Sequence, residues 1–291
     1  MPQSFENIKQ LRFVLTLQTG KFGSSNNNQL TLQGLWAVAD IEKGGGAMMP
    51  SLKAKIYGVS QSDMNSACTL QWKTGLLMTN TVEVYAIDGQ QETLVFIGNI
   101  INAWGDYLGM PDVFLMVQAQ GGFAQQLQSA PPSSFKGQVD VATVMGQLAN
   151  NMGLVFENNG VNVKMQDVYL ANTNLEQAKE LADSAGIDLY LDDNTLAITP
   201  RAQPRNTSQI PLISSQTGMI GYPTFDGIGV NFRTLFNPAI KFGGSIKIQS
   251  DVQQACGQWV ATSIAHHLDT QPGGAWHSTV RGTLNGLAVI S

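Results

Sequence analysis

The residues whose types could do chemistry gather near the end of the chain, where His266, His267, Asp269 and His277 lie close together. Imidazole nitrogens beside a carboxylate are the donor set of a zinc site or of general acid–base catalysis. The segment around them alternates apolar and polar residues, however, and neighbours on a strand point to opposite faces. His266 and His267 therefore cannot both face one ion without a bulge, and the expectation is one inward and one solvent-facing histidine. Neither G-x-S-x-G nor H-E-x-x-H occurs in the sequence. Gly44-Gly45-Gly46 runs into Ala-Met-Met-Pro rather than into a helix opening on Lys-Ser or Lys-Thr, so no phosphate cradle is expected. Glu176 and Glu180 stand four apart with Lys179 between them, the pattern of a solvated helix face. Cys68 and Cys256 have no third or fourth cysteine to complete a zinc or disulfide framework, and are read as two buried, reduced thiols. Trp36, Trp72, Trp104, Trp259 and Trp276 are scattered without interleaved basic residues, as core or interface anchors are. The reading is a protein with no enzymatic constellation, no metal and no cofactor.

Composition bounds what such a chain can be. At 291 residues it is long enough for two or three cores. Only 13% of residues are charged, about half the usual share, and Gln alone, at 26, outnumbers Asp plus Glu at 21. Amide-rich surfaces suit a protein covered by neighbours, because few ionised groups must lose water when an interface forms. A net charge of −5 with no basic stripe argues against sequence-specific nucleic-acid binding. No run of 18 apolar residues occurs and the N-terminus lacks the charged and apolar regions of a leader, so no membrane insertion and folding in the cytosol are expected.

The elements that must position these residues fall into three textures. Residues 1–125 carry extended runs at Arg12–Leu17, Leu35–Ile41, Leu52–Val59, Val82–Ile87, Leu94–Ala103 and Val113–Ala119, with Gly, Asn and Asp turns between them. That density of strands predicts a barrel or sandwich. Gly121–Ser134 reads as a linker. From 135 to about 200 the pattern changes to helices followed by hairpins, and a repeat appears: Leu148-Ala-Asn-Asn-Met-Gly153 against Leu181-Ala-Asp-Ser-Ala-Gly186. Before each block lies an amphipathic stripe, Val141, Val144, Met145, Leu148 and Met152 in the first copy and Leu175, Ala178, Leu181 and Ala182 in the second. After each glycine, placed as a helix C′ residue, come a short strand, a turn and another strand. Two α-β-β copies packed on each other as one small α/β domain are expected, spanning 126–205.

Residues 206–291 return to strands. The stretch Leu235-Phe-Asn-Pro-Ala-Ile-Lys-Phe-Gly-Gly-Ser-Ile-Lys-Ile is stopped twice, at Asn237-Pro238 and at Gly243-Gly244, before an alternating strand begins. Thr81–Ala86 laid over Ser245–Ser250 extends into a longer correspondence. Each is followed by Gln-Gln, an apolar strand, an acidic turn at Asp106 or Asp269, and a last strand entered on Phe114 or Trp276. The expected fold is mainly β, with two similar β-barrel domains, 1–125 and 206–291, and the α/β unit inserted between them.

Gly218–Ile248 with Trp259–Gly282 resembles the baseplate hub proteins of contractile-tailed bacteriophages, which are related to the phage late-control D protein and to the N-terminal part of VgrG. The matching features are Gly221-Tyr222-Pro223, Leu235-Phe236-Asn237-Pro238, Gly243-Gly244 before the Ile-x-Ile strand, His266-x-Leu-Asp269 and Gly273-Gly-x-Trp276. The resemblance implies a structural virion protein: a homotrimer whose two barrels per chain make a pseudo-sixfold ring, joining a sixfold tail tube to a threefold spike and passing DNA during ejection. It implies the tail tube protein, a spike protein, the tape-measure protein and neighbouring wedge or tube-initiator proteins as partners, in a virion baseplate assembled in host cytoplasm. Because the sequence stops at Ser291, the spike is expected to be a separate polypeptide. A carbohydrate-binding tail appendage is the alternative reading.

Overall fold

The computed structural model describes residues 9–23, 26–44, 49–68, 80–205, 209–227 and 229–284. Trp72 and the Gly45-Gly46 part of the glycine run lie outside them. The first stretch comprises β1 (Lys9–Thr16), β2 (Gln29–Gln33), β3 (Ala37–Gly44), β4 (Ser51–Tyr57), α1 (Gln61–Ala67), β5 (Thr81–Asp88), β6 (Gln91–Asp106) and β7 (Phe114–Gln120). The middle comprises α2 (Phe123–Leu127), β8 (Ser133–Asp140), α3 (Val141–Asn151), β9 (Val155–Asn158), β10 (Lys164–Leu170), α4 (Asn174–Ala185), β11 (Ile187–Asp192) and β12 (Thr195–Pro200). The last comprises β13 (Leu212–Ile213), β14 (Met219–Asp226), β15 (Gly229–Leu235), β16 (Ser245–Ile248), β17 (Gly257–Asp269) and β18 (Trp276–Leu284).

Alternation sets the faces of these strands. In β4, Leu52, Ala54 and Ile56 are buried while Lys53 and Lys55 face water. Leu115, Val117 and Ala119 do the same in β7. Each large apolar side chain fully buried this way contributes roughly 1.5–3 kcal/mol.

The pairing order is written twice in the chain. In the first stretch it runs β3-β4-β7-β6-β5-β1-β2. In the last it runs β14-β15-β18-β17, with β16 on β17 and β13 on β16. A hairpin, then the final strand, then the two before it, then one earlier strand occur in the same sequence in both. The strands that align by sequence, β5 with β16 and β7 with β18, occupy equivalent places. The protein is mainly β with an α/β insert.

By compactness the described chain forms two units, one of residues up to Glu42, Pro50–Gly121 and Ala265–Ser278, the other of Lys43–Met49, Gly122–Ile264 and Thr279 onward. The tail of β17 and the head of β18 thus belong with the N-terminal strands. Thr270 ties them there: its Oγ1 accepts from the Ala37 N–H at 2.8 Å, and its N–H donates to the Ala37 carbonyl at 3.0 Å.

In the insert, α3 and α4 bury the stripes read from the sequence. Asp140 and Thr173 cap them by accepting the N–H of Thr143 and Glu176. Gly186 closes α4 at φ +64°, the left-handed conformation that glycine adopts without a Cβ penalty. The α-β-β order occurs twice, but the pairing differs between the copies. β11 and β12 form a hairpin, whereas β9 pairs parallel to β12, and β10 pairs with β8. The first copy is therefore not a hairpin. Asn158 instead bonds Val161 in both directions and turns the chain away. The expected linker also holds structure: α2 lies inside it, and β8 begins at Ser133. β8's signal was the weak alternation of Phe135, Gly137 and Val139 with polar residues.

Candidate functional site

The two stops in 235–250 build one corner. Phe236 is buried, the Asn237 side chain accepts the Ala239 N–H at 2.9 Å, and the Ile240 N–H reaches the Asn237 carbonyl at 3.1 Å. Pro238 sits where no ladder donor is needed. Gly243 then turns at φ +76°, and the Gly243 and Gly244 backbones exchange hydrogen bonds with Ala261 at 2.8 and 2.9 Å before β16 starts. Gly243 also has no room for a side chain. A Cβ there would lie 2.9 Å from Tyr190 Cε1 and 3.0 Å from Arg205 Cδ.

Arg205 uses that space to hold the corner to the insert. Its N–H donates to the Gly243 carbonyl at 2.8 Å and its Nη1 to the Phe242 carbonyl at 2.9 Å. Its guanidinium also pairs with Asp192 at 2.9 Å and with Glu157 at 2.8 Å. Lys43 completes the network, bonding Asp192 and Asp193 at 2.8 Å each. Burial pushes the Asp192 carboxyl up, but Lys43 and Arg205 outweigh it and hold the group at about 2. Asp193 shares Lys43 yet moves upward, because burial and the Asp192 charge prevail where no arginine reaches. Of the two adjacent aspartates, Asp192 is the one that pairs with the Arg205 guanidinium. Lys43 itself is raised, its two carboxylates overcoming burial. Burial pushes Tyr190 up to about 12, and its ring meets Phe242 edge-on at 5.2 Å. Sequence reasoning missed this network. Asp192-Asp193 reads as a hairpin turn, and nothing local marks Arg205 or Lys43 as its partners.

Gly221, Tyr222 and Pro223 lie in β14, where the register against β15 shifts between Ile220 and Thr224. The three residues oppose Phe232 alone, a bulge that accommodates a proline without a missing ladder bond. Gly221 takes φ +72°, Pro223 is buried, and Tyr222 is 67% exposed.

The 266–276 residues form a second cluster. His266 is buried and shares a 2.7 Å hydrogen bond with Ser278, while His267 on the other face contacts Asp40 and meets the His277 ring at a tilt of 42°, with centroids 5.4 Å apart. Alternation separates the two histidines as the strand pattern requires. Among the described residues no group of three or more His, Cys, Asp or Glu side chains is arranged to hold a metal. Asp269 accepts from Trp36 Nε1 at 3.2 Å and from the Gln271 N–H at 2.8 Å. Gly274 is confined by contact: a Cβ would meet the Asp269 carbonyl and the Gln271 carbonyl at 2.8 Å. Trp276 is buried at the head of β18. Trp36 stacks on Tyr57 with centroids 3.8 Å apart, and Phe114 follows at 5.2 Å. Burial first, then the carboxylates of Asp112, Asp269 and Asp106, push the Tyr57 phenol upward. The cysteines differ from expectation: Cys256 is exposed and Cys68 partly so. Cys256 follows a short 3-10 turn, and its Sγ donates to the Ser250 carbonyl at 3.1 Å.

These arrangements fasten turns and corners, and the serine–histidine hydrogen bond among them, Ser278 with His266, is buried away from solvent. Comparison with known proteins agrees with that character. No curated protein matches the chain. Among solved structures, a tail protein from Neisseria meningitidis shares 11% identity over 94% of this chain and 97% of its own, with a TM-score of 0.64. The 43 kDa tail protein of the Shewanella oneidensis prophage MuSo2 shares 12% over 94% and 96%, with a TM-score of 0.62. An E. coli type VI secretion component, described as structurally similar to T4 tail proteins, shares 10% over 92% and 76%, with a TM-score of 0.55. At such identities these likenesses speak for the fold. The sequence model of the family described as "Baseplate hub gp41" matches residues 63–273, which is more than half of the chain, and the protein accordingly belongs to the baseplate hub family of phage tail structural proteins.

Proposed function

We propose that three copies of this chain assemble into a pseudo-sixfold ring that joins a sixfold tail tube to a threefold spike at the centre of a contractile-tail baseplate. The supporting observation is the strand order that occurs twice in one chain, because two similar β surfaces times three copies present six similar positions to a tube. In this reading 1–125 and 206–291 are the two barrel domains, and 126–205 is an insert on the ring's periphery. Gly221-Tyr222-Pro223, Phe236-Asn237-Pro238, Gly243-Gly244, His266, Asp269 and Trp276 are structural motif residues that fix turns. Partners are the tube protein, a spike protein, the tape-measure protein and neighbouring wedge or tube-initiator proteins, met after synthesis in the host cytoplasm. The role is mechanical, without hydrolysis of peptidoglycan or polysaccharide.

A ring of this kind is a conduit for the ejected genome. Duplex DNA carries about one charge per 1.7 Å of axis, so a basic wall would grip it. With 16 basic against 21 acidic residues, the expected lumen is lined by amides, hydroxyls and a few carboxylates. Native mass and electron-microscopic symmetry of the purified chain, alone and with its spike, test the proposal. A threefold particle with a neutral or acidic axial channel is expected. A stable monomer at micromolar concentration, a twofold particle, or a lumen lined mainly by Lys and Arg would overturn it.

A further inference from the structure

The loop between β6 and β7 holds the most exposed apolar side chains of the described chain. Leu108 is 98% exposed and Met110 75%, with Tyr107 at 41% beside them. Monomeric surfaces seldom present such groups together, and when they do the groups tend to mark a binding site. The loop is built rather than slack. Asp106 Oδ1 accepts the Leu108 N–H at 3.0 Å, the Asp112 N–H reaches the Gly109 carbonyl at 2.9 Å, and the Val113 N–H reaches Pro111 at 2.9 Å. Tyr107 folds back until its hydroxyl occupies the space beside Gly105, where a Cβ would be only 2.7 Å away. A preorganised apolar tip loses little entropy on docking, which is the property of an interface anchor.

Charge says what it fits. Asp106 and Asp112 flank the tip, and Asp269 joins them around Tyr57 in the same compact unit. Lys55 is held over the ring of Phe114, the first residue of β7, at 5.4 Å. We propose that Leu108 and Met110 dock into an apolar socket rimmed by lysine or arginine on a separate baseplate or tail protein, so that this loop is a joint between the hub and a neighbour. The inference rests on the hub reading and adds the residues and the chemistry of one contact. The acidic flanks disfavour a second copy of this acidic chain and an anionic lipid surface alike.

The test places the photo-crosslinker benzoyl-phenylalanine at position 108 in the full chain, with position 169 as an exposed control, and irradiates intact particles. A cross-link from 108 to a different polypeptide, at a peptide carrying apolar residues beside Lys or Arg, is expected. The double variant Leu108→Ser, Met110→Ser should lower the amount of that polypeptide per particle at least tenfold, with the melting temperature and oligomeric mass of the purified chain unchanged. Cross-linking only to another copy of this chain, cross-linking to lipid, or no cross-link at 108 in particles that contain the chain would overturn the joint while leaving the hub reading intact. Particles that lack the chain altogether would overturn both.

Discussion

Gly243 and Arg205 are locked together: the Arg205 N–H donates to the Gly243 carbonyl at 2.8 Å, and a Cβ on Gly243 would lie 3.0 Å from the Arg205 Cδ. The corner that opens β16 therefore depends on an arginine in the segment after β12.

Gly243→Ala combines a left-handed φ of +76° with crowding against Tyr190 and Arg205. Gly221→Ala meets the same backbone penalty, at φ +72°, with nothing within 4 Å. The first should cost about 2–4 kcal/mol and the second about 1 kcal/mol. Urea midpoints of the two variants check the ordering, and equal losses would show that the Arg205 contact adds nothing.

Lys43→Met should be among the more destabilising single changes, by roughly 3–5 kcal/mol, because it strands Asp192 and Asp193 with one fewer cation. The pH dependence follows from the directions of shift. Asp192 is held at about 2 against a reference of 3.8, so its contribution is complete above about pH 4 and is lost as pH falls through about 2. Asp193 runs the other way. Its raised value makes the folded state bind a proton more readily, so its destabilising effect is absent below the ordinary value of 3.8 and grows as pH rises from there through the raised folded value. The stability gap between the natural chain and Asp192→Asn should therefore shrink between pH 4 and pH 2 in denaturant titrations.

In the turn before β18, Gly273 and Gly274 are required for different reasons. Gly273 has φ +77° and open space around it, whereas Gly274 has an ordinary backbone and three atoms at 2.8 Å from a would-be Cβ, two of them carbonyl oxygens. Gly274→Ala should lower the melting temperature more than Gly273→Ala, which costs about 1 kcal/mol. The reverse order would mean that the turn shifts freely, and that Asp269 is not fixed by it.

Leu148 and Leu181 occupy matching positions of the two α-β-β copies, and both are essentially inaccessible. Each change to Ala should cost roughly 2–5 kcal/mol by calorimetry, with similar values for the pair. Loss at one position only would break the equivalence of the copies.

His266→Ala removes a buried group bonded to Ser278 and should cost about 1–3 kcal/mol, while His267→Ala, near Asp40 on the exposed face, should cost under about 1 kcal/mol. Thermal unfolding at pH 7 separates them. Peptidoglycan or polysaccharide turnover that disappears with either variant would contradict a purely mechanical role.

Much of this protein was legible in its sequence because the signals are local. Period-2 alternation marked β4 and β7, and the 3.6-residue stripes of Val141–Met152 and Leu175–Ala182 marked α3 and α4 together with their buried faces. Strand alternation also separated His266 from His267. The offset between Thr81 and Ser245 foreshadowed two β regions, and the duplicated pairing order has β5 and β16 in equivalent places. β8 escaped notice because its alternation is interrupted by Gly137 and carries only two large apolar residues.

What depends on distant residues could not be read that way. A strand's own pattern says which face is buried but not which neighbour completes its ladder, so β9 looked like half of a hairpin until Thr195–Ile198 proved to be its parallel partner. The same holds for charge. Lys43 lies 149 residues before Asp192 and Arg205 lies 13 after it, and each alone resembles a surface residue. Only the fold removes them from water, and once water is gone each requires the others. Sequence determined the elements and their faces through short-range sterics; the tertiary structure decided the partners, because burial makes a contact obligatory only after the chain has closed.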